Sequence, residues 1–102
     1  MEINMFNPDT LDALCGACVY EVEQLDLSDF GLPGLSFTGE LHIEPDAHTG
    51  CEDWYISEAT TTVAGRTHAY AGKSAVFQAI LKAVRDNDFL CSDILYVSRE
   101  HA

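Results

Sequence analysis

The chain has 102 residues, 47% of them hydrophobic, which suits one domain, residues 1–102, with a core of its own. Its formal charge is −12, from 17 Asp and Glu against five Lys and Arg, and a field of that sign repels the phosphate backbone of nucleic acid. No apolar run of about 18 residues is present to span a membrane, and the opening MEINMFNPDT lacks the basic-then-apolar pattern of a secretory leader, so a cytoplasmic protein is expected.

Asn7, Pro8 and Asp9 form a helix-start signal, and Leu11, Leu14, Cys15 and Cys18 follow at helical spacing. They predict a short N-terminal helix that Gly16 weakens, ending near Ala17. In VYEVEQLDL (19–27), Tyr20 and Val22 share one face of a strand, with Glu21 and Glu23 opposite. Leu25 and Leu27 break that parity, and a bulge near Gln24 restores it. SDFGLPG (28–34) is a turn cluster that leaves Phe30 and Leu32 as a candidate exposed apolar pair.

LSFTGELHIE (35–44) is the cleanest strand: Leu35, Phe37, Leu41 and Ile43 point one way, and Ser36, Thr38, Glu40, His42 and Glu44 the other. A loop follows, punctuated by Pro45 and Gly50. WYISEATTTV (54–63) is rich in aromatic and β-branched residues and reads as a strand, with Trp54 inward beside Ile56 and Tyr55 outward. Ala64 and Gly65 can turn it into a further strand, RTHAYA (66–71). Ser74 is the N-cap of a helix in which Phe77, Ile80, Leu81 and Val84 make the apolar face, with Lys82 and Arg85 late, where they suit the dipole. DILYV (93–97) suits either a last strand or a short helix, and the strand is preferred. The sum is α+β: a short N-terminal helix, an antiparallel meander of about four strands, one amphipathic helix on one sheet face, and a C-terminal segment open to a short strand.

The charge is unevenly placed. Residues 1–65 hold 13 carboxylates and no Lys or Arg, whereas residues 66–102 hold four carboxylates against all five basic side chains. The wet face of the sheet then carries Glu21, Glu23, Glu40 and Glu44, and like charges side by side on a sheet are destabilising. A fold that keeps them points to a use for them. The loop and strand start add Asp46, Glu52, Asp53 and the outward ring of Tyr55, a pairing of carboxylates for Arg forks with an aromatic anchor.

Other chemistries fit less well. Cys15-Gly-Ala-Cys18 is half of a zinc pattern, and without a second close pair it can only draw on His48 and Cys51. As a redox dithiol it sits at a helix end before a strand, whereas reactive dithiols sit after a strand at a helix start. Gly72-Lys73-Ser74 has the tail of a phosphate-binding loop, but Thr67 stands where its first glycine belongs. Asp46, His48 and Gly50 fail the calcium-loop spacing. Arg66, His68 and Tyr70 share a strand face, a set more typical of a solvated face than of catalysis, and no catalytic residue is assigned.

Small size, a highly acidic first two thirds and no catalytic motif together resemble the small acidic accessory proteins of phages and mobile elements, such as anti-CRISPR proteins and DNA mimics. The resemblance is one of composition and transfers no residue. It implies a non-enzymatic, cofactor-free inhibitor that occupies an Arg/Lys-lined, nucleic-acid-binding surface of a partner protein without touching nucleic acid itself. The partner-binding set is then Glu21, Glu23, Glu40, Glu44, Asp46, Glu52, Asp53 and Tyr55. The alternatives are a metal- or thiol-dependent module on Cys15, Cys18, His48 and Cys51, and a small enzyme or oligomeric structural protein; a homodimer stays open.

Overall fold

The computed structural model describes residues 16–46 and 53–101. The helix expected over residues 7–17 lies outside them except for Gly16 and Ala17, as does the loop holding His48, Cys51 and Glu52. The described residues form an antiparallel sheet in the order β1 (Cys18–Asp26), β2 (Ser36–Asp46), β3 (Asp53–Val63), β4 (Arg66–Tyr70). Two helices follow, α1 (Ala75–Arg85) and α2 (Asp88–Glu100). The architecture is therefore α+β.

Both helices cover the same face of the sheet. Val22, Leu25, Phe37, Leu41, Ile43, Ile56 and Ala59 from the strands meet Phe77, Ile80, Ala83 and Val84 of α1 and Ile94 of α2 in one core. Leu41, Ile43, Ile80, Val84 and Ile94 are fully buried, each contributing about 1.5–3 kcal/mol in transfer free energy. Ser74 caps α1 as expected, its hydroxyl accepting the Phe77 amide at 3.3 Å. On the sheet side Gly39 is required. A Cβ there would lie 2.2 Å from the Thr60 carbonyl oxygen and 2.7 Å from the Phe37 ring, which folds back over the glycine to meet Tyr70 edge-on.

Two bulges set which side chains face out. The first is the one expected near Gln24: the β1–β2 register shifts between Val22 and Leu25, and Gln24 adopts φ 52°. Its amide donates to Thr38 Oγ1 at 2.9 Å, so the irregular backbone is satisfied, and both Val22 and Leu25 reach the core. The second is in β3, where His42 pairs with Glu58 but Ile43 with Ile56. Ser57 is the extra residue, and its hydroxyl donates to the His42 carbonyl at 3.3 Å. Straight alternation from Trp54 and Ile56 would have put Glu58 in the core. The bulge turns it to the opposite face.

Three expectations are corrected. Residues 93–97 belong to α2 and form no strand: Asn87 Oδ1 accepts the Leu90 amide at 3.1 Å as N-cap, and Leu90, Ile94 and Ser98 form a four-residue repeat against the core. Ser98 is fully buried because its hydroxyl donates to the Gly16 carbonyl at 2.8 Å while its own carbonyl accepts the Gly16 amide. Phe30 and Leu32 are half-buried and pack on the core, held by a 3-10 turn over Ser28–Phe30. Leu35 precedes β2 and is 51% exposed, outside the core.

Helix and sheet are also tied by a polar contact. The Tyr20 hydroxyl of β1 donates to the Asp93 carboxylate of α2. Burial, that hydrogen bond and the negative charge of Asp93 together push the Tyr20 hydroxyl up to about 12.

Candidate functional site: the open face of the sheet

With α1 and α2 on one face, no described element packs on the other. The register assigns that open face residue by residue. β1 brings Val19 and Glu21, β2 brings Glu40, His42, Glu44 and Asp46, and β3 brings Tyr55, Glu58 and Thr60. Glu21 is the direct partner of Glu40, so two carboxylates face each other across neighbouring strands. Glu23 stands exposed at the first bulge, and with Glu21 and Glu40 it rims a shallow hollow of about 280 Å³ floored by Thr38, Thr60 and Thr62. Glu44 pairs with Tyr55, whose ring is 45% exposed, and Asp46 with Asp53.

Of the residues picked out from sequence, Glu21, Glu23, Glu40, Glu44, Asp46 and Tyr55 are thus gathered on this face and its bulged edge, and the backbone of Asp53 continues its register. Glu52 lies outside the described residues. Of the alternative metal set only Cys18 is described, half-buried on the helix side, while Cys15, His48 and Cys51 lie outside. Among the described residues no group of three or more His, Cys, Asp or Glu is placed to hold a metal ion. No described helix is long and apolar enough to cross a membrane.

A hydrogen-bonded relay in the middle of the face was not foreseen. The Thr60 hydroxyl, only 7% exposed, donates to Glu40 Oε1 at 3.5 Å and lies 3.1 Å from His42 Nε2. That same nitrogen is 3.8 Å from Glu58 Oε2. His42, Thr60 and Glu58 therefore hold Glu40 and one another in place between the flanking carboxylates. Nothing in the alternation of β3 marks Glu58, because Ser57 and Glu58, on either side of the change of face, are both polar.

No protein-family model, curated protein or solved structure matches this chain. The site is therefore read from its own geometry.

Open-face positions repeat about every 6.8 Å along a strand and about 4.8 Å between strands. That lattice of carboxylates suits several guanidinium or ammonium groups at once, since each carboxylate can accept two hydrogen bonds from an Arg fork. No Lys or Arg lies on the face: Arg66 is on the helix-side face of β4, Lys73 is in the turn before α1, Lys82 and Arg85 are on α1, and Arg99 is on α2. A cleft of about 600 Å³ on the helix side is walled by Trp54, Ile56, Leu81, Val84 and Leu95 with Arg85 at its rim, and Asp46 and Tyr55 also line it, so these two residues border it at the end of the sheet. Trp54 thus points inward, as expected.

Proposed function

We propose that this chain is a non-enzymatic, acidic interaction protein. Its open sheet face binds an Arg/Lys-lined surface of a partner protein and occludes a nucleic-acid-binding site there. One observation carries the reading: Glu21, Glu40, Glu44 and Glu58 share a sheet face that has no Lys or Arg and that no described element covers. A face of that kind is unfavourable in the isolated molecule. It becomes favourable only against cations, which it can pair by forked hydrogen bonds and attract from a distance. Tyr55 and Val19, exposed at 45% and 49%, supply apolar contact beside the charges. In this role the chain would act as accessory proteins of mobile elements do, as a counterfeit of the phosphate backbone aimed at a host effector.

The test is affinity capture on the immobilised chain from its native host, repeated between about 50 and 200 mM salt, followed by assay of the captured protein's nucleic-acid binding. The expected result is steep release with salt and competitive loss of nucleic-acid binding. A partner whose capture is indifferent both to salt and to the Glu21→Lys, Glu40→Lys, Glu44→Lys, Glu58→Lys variant would overturn the proposal.

A further inference from the structure

The sheet has two edges, and they are built differently. β1 is defended. It carries Glu21, Glu23 and Asp26, and the bulge at Gln24 breaks its ladder. Charged side chains and bulges help keep an edge from pairing with another chain. β4 has no bulge and a single charged side chain, Arg66. Its five residues, Arg-Thr-His-Ala-Tyr, include no carboxylate and no proline, and they pair with β3 in unbroken register from Ala59↔Tyr70 to Val63↔Arg66. Arg66, Thr67, His68 and Ala69 are all exposed. No described strand pairs with the outer side of β4.

The hairpin turn settles which backbone groups that edge offers. Ala64 and Gly65 both have positive φ, 53° and 78°, the signature of a two-residue type I′ turn. Its closing pair, Val63 and Arg66, exchanges both ladder bonds, and alternation then sends the backbone groups of Arg66, His68 and Tyr70 toward β3. The Thr62 and Thr67 hydroxyls, 3.1 Å apart, fit a close, non-hydrogen-bonded pair between them. The amides and carbonyls of Thr67 and Ala69 therefore point away from the sheet.

We infer that a second copy of this chain pairs with β4, antiparallel, about a two-fold axis through His68. In that register Thr67 of each copy meets Ala69 of the other, and the outward amides and carbonyls of both satisfy one another in four hydrogen bonds. His68 faces its own counterpart in the close, non-hydrogen-bonded position. Arg66 lies against Tyr70 of the other copy on the same face, where a guanidinium can stack on a phenol ring. Charge favours this edge over β1. β4 lies in the C-terminal segment, where four carboxylates oppose five cations, and two strands separate it from β1. At about 4.8 Å per strand, most of the acidic face is then more than a Debye length of about 8 Å from the axis. The axis is perpendicular to the sheet, so the two open faces join on one side of an eight-stranded sheet.

Sedimentation velocity on the full chain tests this, together with crosslinking of His68→Cys and Thr67→Cys variants. The expected result is a dimer that strengthens with salt, the opposite of the salt response of a basic partner. Ala69→Pro should yield a folded monomer, because it removes only an outward amide and an edge strand tolerates proline. His68→Cys should form an interchain disulfide under mild oxidation. The paired Cα atoms would be about 4.5 Å apart, within disulfide reach. Thr67→Cys, on the other face and two rungs off its own counterpart, should crosslink on the order of tenfold more slowly, and the wild-type chain serves as control for the native cysteines. A monomer at all salt concentrations, a dimer that survives Ala69→Pro, or equal crosslinking of the two cysteine variants would each overturn the inference. None of these outcomes depends on whether the open face binds a cationic partner.

Discussion

Neutralising Glu21 should make the isolated protein more stable, and the gain should depend on Glu40. The two residues are direct partners across β1 and β2. Carboxylates on facing positions come within about 5.5 Å, where two unit charges repel by about 0.75 kcal/mol in water. Screening reduces that to about 0.4 kcal/mol near physiological ionic strength and to about 0.1 kcal/mol in 1 M salt, while near 0.01 M about 0.6 kcal/mol survives. The assay is a double-mutant cycle in urea with Glu21→Gln, Glu40→Gln and the pair, run at the lowest and highest of those ionic strengths. The first neutralisation should stabilise more than the second, by a coupling of about 0.6 kcal/mol at low salt that falls to about 0.1 kcal/mol at high salt. Additive gains at low salt, or a coupling that ignores salt, would mean that the two side chains do not face each other, and the open face would lose its defining feature.

Removal of the tether between layers gives a second expectation. Tyr20→Phe should cost about 1 kcal/mol near neutral pH, the strength of a hydrogen bond to a charged group discounted for partial solvent exposure. The folded state holds the Tyr20 proton up to about 12 against an ordinary value of 10.0, so this contribution is complete below about pH 10 and is lost as pH rises toward 12. The stability difference between wild type and Tyr20→Phe in urea should therefore close across that window; a difference that stays constant or grows would contradict the assignment. Gly39→Ala should lower stability by at least about 2 kcal/mol, since the new methyl group meets the Thr60 carbonyl at 2.2 Å and a strand carbonyl cannot step aside as a side chain could. A thermal midpoint equal to that of the wild type would refute the close approach.

The sheet was legible because alternation is strict wherever one face is buried and the other wet. Ser36 to Glu44 shows it plainly, and the parity break at Leu25 was enough to locate the bulge at Gln24. The β3 bulge left no such mark. Ser57 and Glu58 are both polar, so the switch of face between them costs the pattern nothing, and Glu58 could not be placed from sequence. The α2 helix was obscured because one of its inward positions, Ser98, is polar and is buried only through its bond to Gly16, 82 residues earlier. The carboxylates of the candidate face could be chosen from parity and charge alone. The His42–Thr60–Glu58 relay could not, since it joins two strands whose relative register is set by the hidden bulge.

The central claim is that the open face, and not net charge as such, does the binding. An oligo-arginine peptide titrated by calorimetry against two variants of equal charge separates these. One neutralises Glu21, Glu40, Glu44 and Glu58 as glutamines; the other neutralises Asp29, Asp86, Asp88 and Glu100, all exposed and off that face, as asparagines and glutamine. At 0.2–1 kcal/mol for each exposed pair, the first should weaken binding by roughly ten- to a hundredfold and flatten its salt dependence, while the second stays within about twofold of the wild type. Equal losses in the two variants would show that the peptide reads only total charge, and the open face would then have no special role.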